Sequence, residues 1–114
     1  MHEASIALSV IDIAEKQCRE AGYSRIKGIE LRIGNASGVL PDALMTAFDI
    51  VKLETMAEGA NLVIESIPLG GLCRTCETQF TTNDQFILAC PDCSSKDFTL
   101  DRGRELDIIE IEVE

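Results

Sequence analysis

Five of the 114 residues are cysteines, and four of them form two Cys-x-x-Cys pairs, Cys73/Cys76 and Cys90/Cys93. A two-residue gap lets both thiolates of one turn face a common ion, and two such turns supply a closed tetrahedral set of sulfurs. That set leaves no open position for water, so its ordinary role is structural. Zinc is the expected ion. A rubredoxin-like iron site is the second reading, since tetrahedral sulfur suits both metals. A dithiol redox pair is the third, although two symmetrical pairs would be superfluous for that task. The surrounding segment has little core of its own, so metal binding, worth about 10–16 kcal/mol in isolated zinc-finger peptides, would supply much of its folding free energy. Phe80, Phe86 and Phe98 are expected as aromatic caps, with a short hairpin through Phe80 and Phe86 between the knuckles. Cys18, outside both pairs, reads as a small core residue.

The second candidate set lies at the start of the chain, where the single histidine is residue 2. The α-amine of Met1, the amide nitrogen of His2 and the imidazole Nδ1 form two fused chelate rings around one metal. A deprotonated amide nitrogen favours square-planar geometry, the arrangement associated with nickel(II) or copper(II). Glu3 adds either its amide nitrogen or its carboxylate. The imidazole, with an ordinary pKa of about 6.5, makes such a site sensitive to mild acid. Taken alone, a histidine at position 2 is more often an accident of sequence than a ligand.

These donors need a scaffold. Residues 4–21 carry Ala7, Ile11, Ala14, Cys18 and Ala21 at steps of three and four, one face of an amphipathic helix that stops at Gly22. Pro41 and Asp42 open a second helix, where proline fits the first turn and an acid meets the helix dipole. Leu44, Phe48 and Val51 are its expected buried face and Gly59 its end. Residues 25–33 alternate as a half-buried strand, with Ile29, Leu31 and Ile33 on one face. Residues 61–67 form a second strand. A final strand sets Ile109, Ile111 and Val113 against Glu110, Glu112 and Glu114, and should close the same sheet. The expected fold class is therefore α+β: two helices packed on a small three-stranded mixed sheet, with an inserted zinc-ribbon-like module. Residues 1–69 plus 105–114 make the α+β domain, and residues 70–104 the zinc-binding module.

Composition narrows the function. With 20 acidic and 10 basic residues the net charge is −10, which repels phosphate backbones and anionic membrane surfaces alike. No stretch of 18 apolar residues suggests a membrane span, and the start lacks the basic and apolar regions of a secretory signal. A cytoplasmic setting is expected, where clustered cysteines read as metal ligands rather than disulfides. An enzyme is not expected. Gly70-Gly71 lacks the Lys-Ser/Thr of a phosphate loop, and no histidine but His2 could serve as a general base. Glu105, Asp107, Glu110 and Glu112 read as a solvated strand face.

The order of these features is itself specific. A Met-His-Glu start leads into an amphipathic helix, then Ile33-Gly34, Phe48-Asp49-Ile50-Val51, Ala57-Glu58-Gly59-Ala60, two knuckles and Ile109-Glu110-Ile111-Glu112. Along essentially its whole length the chain resembles the HypA/HybF family of hydrogenase maturation factors. The resemblance implies a nickel metallochaperone that delivers nickel to the large subunit of nickel–iron hydrogenase beside a HypB-type GTPase; some members also serve urease. It places nickel, a transient cargo, on Met1, His2 and Glu3 in the α+β domain, and structural zinc on Cys73, Cys76, Cys90 and Cys93. Glu15, Lys16, Arg19 and Glu20, on the exposed side of the first helix, are candidate GTPase contacts or an ordinary charged face. Many relatives carry a histidine directly after the second knuckle, some also after the first; here Ser94 and Glu77 follow. The competing reading is a zinc-ribbon protein–protein adaptor that delivers no nickel. The terminus separates the two, since an adaptor would tolerate any residues there.

Overall fold

The structure is a computed structural model and describes residues 2–114. Its elements run α1 (Glu3–Glu20), β1 (Ile26–Gly34), α2 (Pro41–Val51), β2 (Asn61–Ile67), β3 (Leu69–Cys73), β4 (Gln79–Thr82), β5 (Phe98–Arg102) and β6 (Leu106–Val113). They fall into two compact units: residues 1–32, 39–65 and 107–114, and residues 33–38 with 66–106.

The first unit buries apolar stripes against a sheet. On α1 the buried residues are Ala7, Val10, Ile11, Ala14 and Cys18, the expected face with Val10 added and Ala21 left exposed. Leu44 and Phe48 are the buried pair of α2, and Val51 is only half-buried. Opposite them stand Ile26, Ile29 and Leu31 of β1 and Leu62 of β2. Phe48 is the one aromatic ring in this otherwise aliphatic core. Cys18 is buried, its Sγ 3.7 Å from the Arg25 carbonyl oxygen.

The first sheet has the order β2-β1-β6. Ion pairs fix its directions. Arg25 meets Glu114 and Lys27 meets Glu112, so β6 runs antiparallel to β1. Arg32 meets Glu65 while Gly28 lies against Asn61, so β2 runs parallel to β1. The sheet is mixed, with α2 in the long crossover that the parallel neighbours β1 and β2 need.

One expectation about this unit is corrected. The second helix ends at Val51 rather than at Gly59. Beyond it, Thr55 turns both its amide and its hydroxyl onto the Lys52 carbonyl, and Glu54 takes a left-handed φ of 62°. A side-chain hydroxyl that competes for backbone acceptors favours turns over helix. Successive bonds from Glu58 to Thr55 and from Ala60 to Ala57 continue the turns to β2. The exposed face of α1 is also less free than its charges suggest. The Glu15 carboxylate accepts the Met56 amide at 3.0 Å, and Arg19 reaches the Met56 sulfur at 3.5 Å. Both therefore hold the 52–60 loop.

The second unit contains an antiparallel sheet of order β4-β3-β5. Its central strand holds the glycine pair, and a bulge falls between Gly70 and Gly71. A Cβ on Gly71 would collide with the Thr99 carbonyl oxygen, so the pair serves close strand approach. Gly103 follows β5 with a φ of 112°, and a Cβ there would lie 2.6 Å from the Leu69 Cα. Its amide donates to the Glu105 carboxylate and its carbonyl accepts the Ala36 amide at 2.7 Å.

Gly103→Ala combines an unfavourable φ with a backbone collision. It should destabilise the chain by at least about 2 kcal/mol. Denaturant unfolding followed by circular dichroism checks this, and a wild-type midpoint would refute it.

Candidate metal centre

Each knuckle is built on the end of an ordered segment. Cys73 is the last residue of β3, and the turn through Cys76 leads back into β4. The second knuckle precedes β5. Both close in the same way: the Cys73 amide bonds the Thr78 carbonyl at 3.0 Å, and the Cys90 amide bonds the Ser95 carbonyl at 2.7 Å. Both also place the residue after the second cysteine in the left-handed region, Glu77 at φ 59° and Ser94 at φ 65°. L-residues reach that region at a cost, so the closure of each turn must hold them there.

The result is one convergent cluster. The four Sγ atoms lie within 4.8 Å of one another, the one group of three or more metal-ligating side chains among the described residues. Cys73 and Cys93 are 3.6 Å apart, Cys76 and Cys90 3.8 Å. A metal–sulfur bond of about 2.3 Å gives a tetrahedral edge of about 3.8 Å, so these spacings suit an ion at the centre. They are far longer than a disulfide of about 2.05 Å. All five cysteines are free. The donor set fits a tetrahedral thiophilic ion.

The backbone prepares the sulfurs for that role. The Cys76 amide points at Cys73 Sγ from 3.5 Å, and the Asp92 amide at Cys90 Sγ from 3.4 Å. At Cys73 such an N–H stabilises thiolate over thiol. The Cys76 amide, above all, brings the Cys73 thiol down to about 7, aided by the Thr75 amide and against the opposing effect of burial. At Cys93 the Ser95 amide also pulls downward. Burial and three thiol neighbours, Cys73, Cys76 and Cys90, outweigh it and push this thiol up to about 12. The 3.6 Å pair thus joins one thiol lowered by backbone amides to one raised by burial and its thiol neighbours.

Two of the three expected aromatic caps meet. Phe80 and Phe98 pack edge to face with centroids 5.8 Å apart, and Phe80 is buried. Phe86 does not join them: it is 72% exposed. The expected hairpin between the knuckles is also absent, because β4 ends at Thr82 and its strand partner is β3. Thr82 Oγ1 accepts the Asp84 amide there, bending the chain before Phe86 can extend the strand.

The second candidate set is only partly in view. Met1 lies outside the described residues. His2 is the N-cap of α1, exposed and extended, with no side-chain capping bond, and its carbonyl accepts the Ile6 amide at 3.2 Å. Glu3 opens the helix, and its carboxylate accepts the amide of Leu40, the N-cap of α2, at 3.2 Å. That bond, followed by one from its own amide, lowers the Glu3 pKa. Sequence reading had no means of finding the Leu40 amide, since a backbone donor carries no residue signature.

The Cys73/Cys93 pair predicts how metal affinity varies with pH. Ligation needs both sulfurs deprotonated, so at neutral pH the ion must expel the Cys93 proton, and below about 7 the Cys73 proton as well. Apparent affinity should fall with falling pH and fall more steeply below 7, by about a further tenfold per pH unit. Competition titrations against a calibrated chelator from pH 6 to pH 8 measure this; an unchanged affinity would refute it.

Comparison with known proteins now adds lineage to geometry. Residues 1–113 match the family model described as hydrogenase/urease nickel incorporation, metallochaperone, HypA. A hydrogenase maturation factor HypA from Geobacter metallireducens is 41% identical over 114 residues, covering all of both chains. Another from Roseiflexus is 40% identical over the whole chain and 93% of that relative. The solution structure of the nickel metallochaperone HypA from Helicobacter pylori shares the fold, with a TM-score of 0.69 and 24% identity over 99% of this chain and 97% of that one. Such a family handles metal ions and does not catalyse reactions on a substrate. The chain belongs to the HypA family of nickel-incorporation metallochaperones.

Proposed function

We propose that this protein binds nickel(II) at its N-terminus and delivers it during maturation of nickel–iron hydrogenase, while zinc held by Cys73, Cys76, Cys90 and Cys93 keeps the second unit folded. The nickel donors are the Met1 amine, the His2 amide nitrogen, the His2 Nδ1 and the third residue. The client is the hydrogenase large subunit, with urease as a second client within the family's range. A HypB-type GTPase works beside it in the cytoplasm.

The observation that carries this reading is the state of residues 2 and 3. His2 is exposed and its imidazole is not spent on capping the helix. The first intrahelical bond belongs to the Ile6 amide, so the Glu3 amide precedes the helical ladder and can lose its proton without breaking it. The Glu3 carboxylate is already engaged by Leu40, which favours the amide as this residue's nickel donor. A nickel ion held by one short exposed segment can be surrendered to a client, whereas a caged ion is retained. The fit of the four sulfurs to a closed tetrahedron supports the complementary role for zinc.

Calorimetric titration of nickel(II) into zinc-loaded protein with a native terminus should show one-to-one binding. His2→Ala and a Gly-Ser extension before Met1 should each weaken it by at least about a hundredfold, since each removes the outer donor of one of the two fused rings. Zinc content should stay unchanged in both. Equal nickel binding in all three proteins would move the site to other ligands. No binding in any would favour the adaptor reading.

A further inference from the structure

Outside the four ligands, two polar links join the knuckles. Both middle residues of the first knuckle, Arg74 and Thr75, reach the segment that follows the second. The Thr75 and Ser95 hydroxyls lie 2.7 Å apart. Arg74 Nε pairs with the Asp97 carboxylate at 2.8 Å, and the Arg74 amide donates to the Asp97 carbonyl at 2.9 Å.

Ser95 is the hub. Its hydroxyl meets Thr75 and accepts the Asp97 amide at 3.0 Å. Its carbonyl accepts the Cys90 amide at 2.7 Å, and its own amide points at the Cys93 sulfur. Every polar group of this one residue is committed to the second knuckle, to β5's approach, or to the first knuckle.

We propose that the Thr75–Ser95 hydroxyl pair is a clamp that sets how slowly the four-cysteine site releases its ion. The proposal rests on the zinc reading above. An ion bound by four sulfurs leaves stepwise, and the first step is departure of a thiolate together with the loop that carries it. Two sulfurs sit on each loop, so full release requires the loops to part. The hydroxyl pair ties one loop to the other through atoms that never touch the metal. It resists that parting without altering the ligand set. Thr75 and Ser95 are thus positioning residues for the ion. In a protein that must keep one metal while passing on another, such a clamp separates the resident ion from the cargo by rate of release.

The test uses the zinc-loaded full chain and an excess of chromophoric chelator, with release followed by absorbance. Zinc content of the wild-type protein is measured first; its absence would overturn the zinc reading itself, before any variant is compared. Thr75→Val keeps the shape and removes the hydroxyl. It should release zinc about three- to tenfold faster, the range that loss of one hydrogen bond allows. Thr75→Ser restores the hydroxyl and should release zinc at the wild-type rate. Ser95→Ala should also accelerate release, and adding Thr75→Val to it should change nothing more. The sulfur-to-metal charge-transfer bands of the cobalt-substituted variants should match the wild type, because the four ligands are untouched. Wild-type release from Thr75→Val, failure of Thr75→Ser to rescue, or effects that multiply in the double variant would each overturn the clamp.

Discussion

Four sulfurs packed within 4.8 Å of one another repel when ionised, and only a cation at their centre reconciles them. The conflict shows in the 3.6 Å pair, where backbone amides lower the Cys73 thiol to about 7 while burial and thiol neighbours push Cys93 up to about 12. The second unit depends on how that conflict is resolved. Its sheet has short strands and two adjacent glycines in the central one, and besides Cys73 the buried apolar side chains of β3 and β4 are Leu69 and Phe80. The cluster itself occupies the place where a larger domain would put hydrophobic side chains. Cys73 and Cys90 are buried, as are the core leucines Leu31 and Leu44 of the first unit. A domain of this size ordinarily needs a metal or disulfides to stay folded, and here the chemistry of the donors selects the metal.

The two candidate sites differ in the same physical terms. At the cysteines, donors come from two turns locked by backbone bonds, so the sulfurs converge on one point from two fixed loops. At the start of the chain, donors come from consecutive residues and the backbone itself. Helix α1 begins just late enough to leave that backbone available, and the Glu3 carboxylate, bonded to Leu40, fixes where α1 starts relative to α2 within the first unit. Four sulfurs on two fixed loops suit retention of an ion, and the proposed terminal donor set would suit its transfer.

Much of this was legible in the sequence, and the exceptions have identifiable causes. The buried stripe of α1 and the alternation of β1 follow from periodicity, because one face of each is apolar and the other is charged. The convergence of the sulfurs follows from Cys-x-x-Cys spacing. The end of α2 was not legible: residues 52–58 contain good helix formers, and only the hydroxyl of Thr55 and its capture of the Lys52 carbonyl reveal a turn. Phe86 misled for a related reason. An aromatic beside a metal knuckle suggests a cap, yet the turn set by Thr82 and Asp84 sends it to solvent. The straps through Thr75 and Ser95 were silent because serine and threonine are common in loops and pair across 20 positions of sequence. Arg74 and Asp97 look like ordinary surface charges for the same reason.

The mixed pairing of the first sheet bears on how the chain folds. β2 joins β1 through a crossover of local elements, but β6 can pair with β1 only after the entire second unit has been traversed. Closing so long a loop is entropically unfavourable and slows folding. An ion that gathers the four cysteines shortens the free loop before β6 arrives. Metal capture during synthesis would therefore act as a kinetic aid to a sheet that contains none of the ligands, and scarcity of that ion would leave β1 with an unpaired edge exposed to other chains.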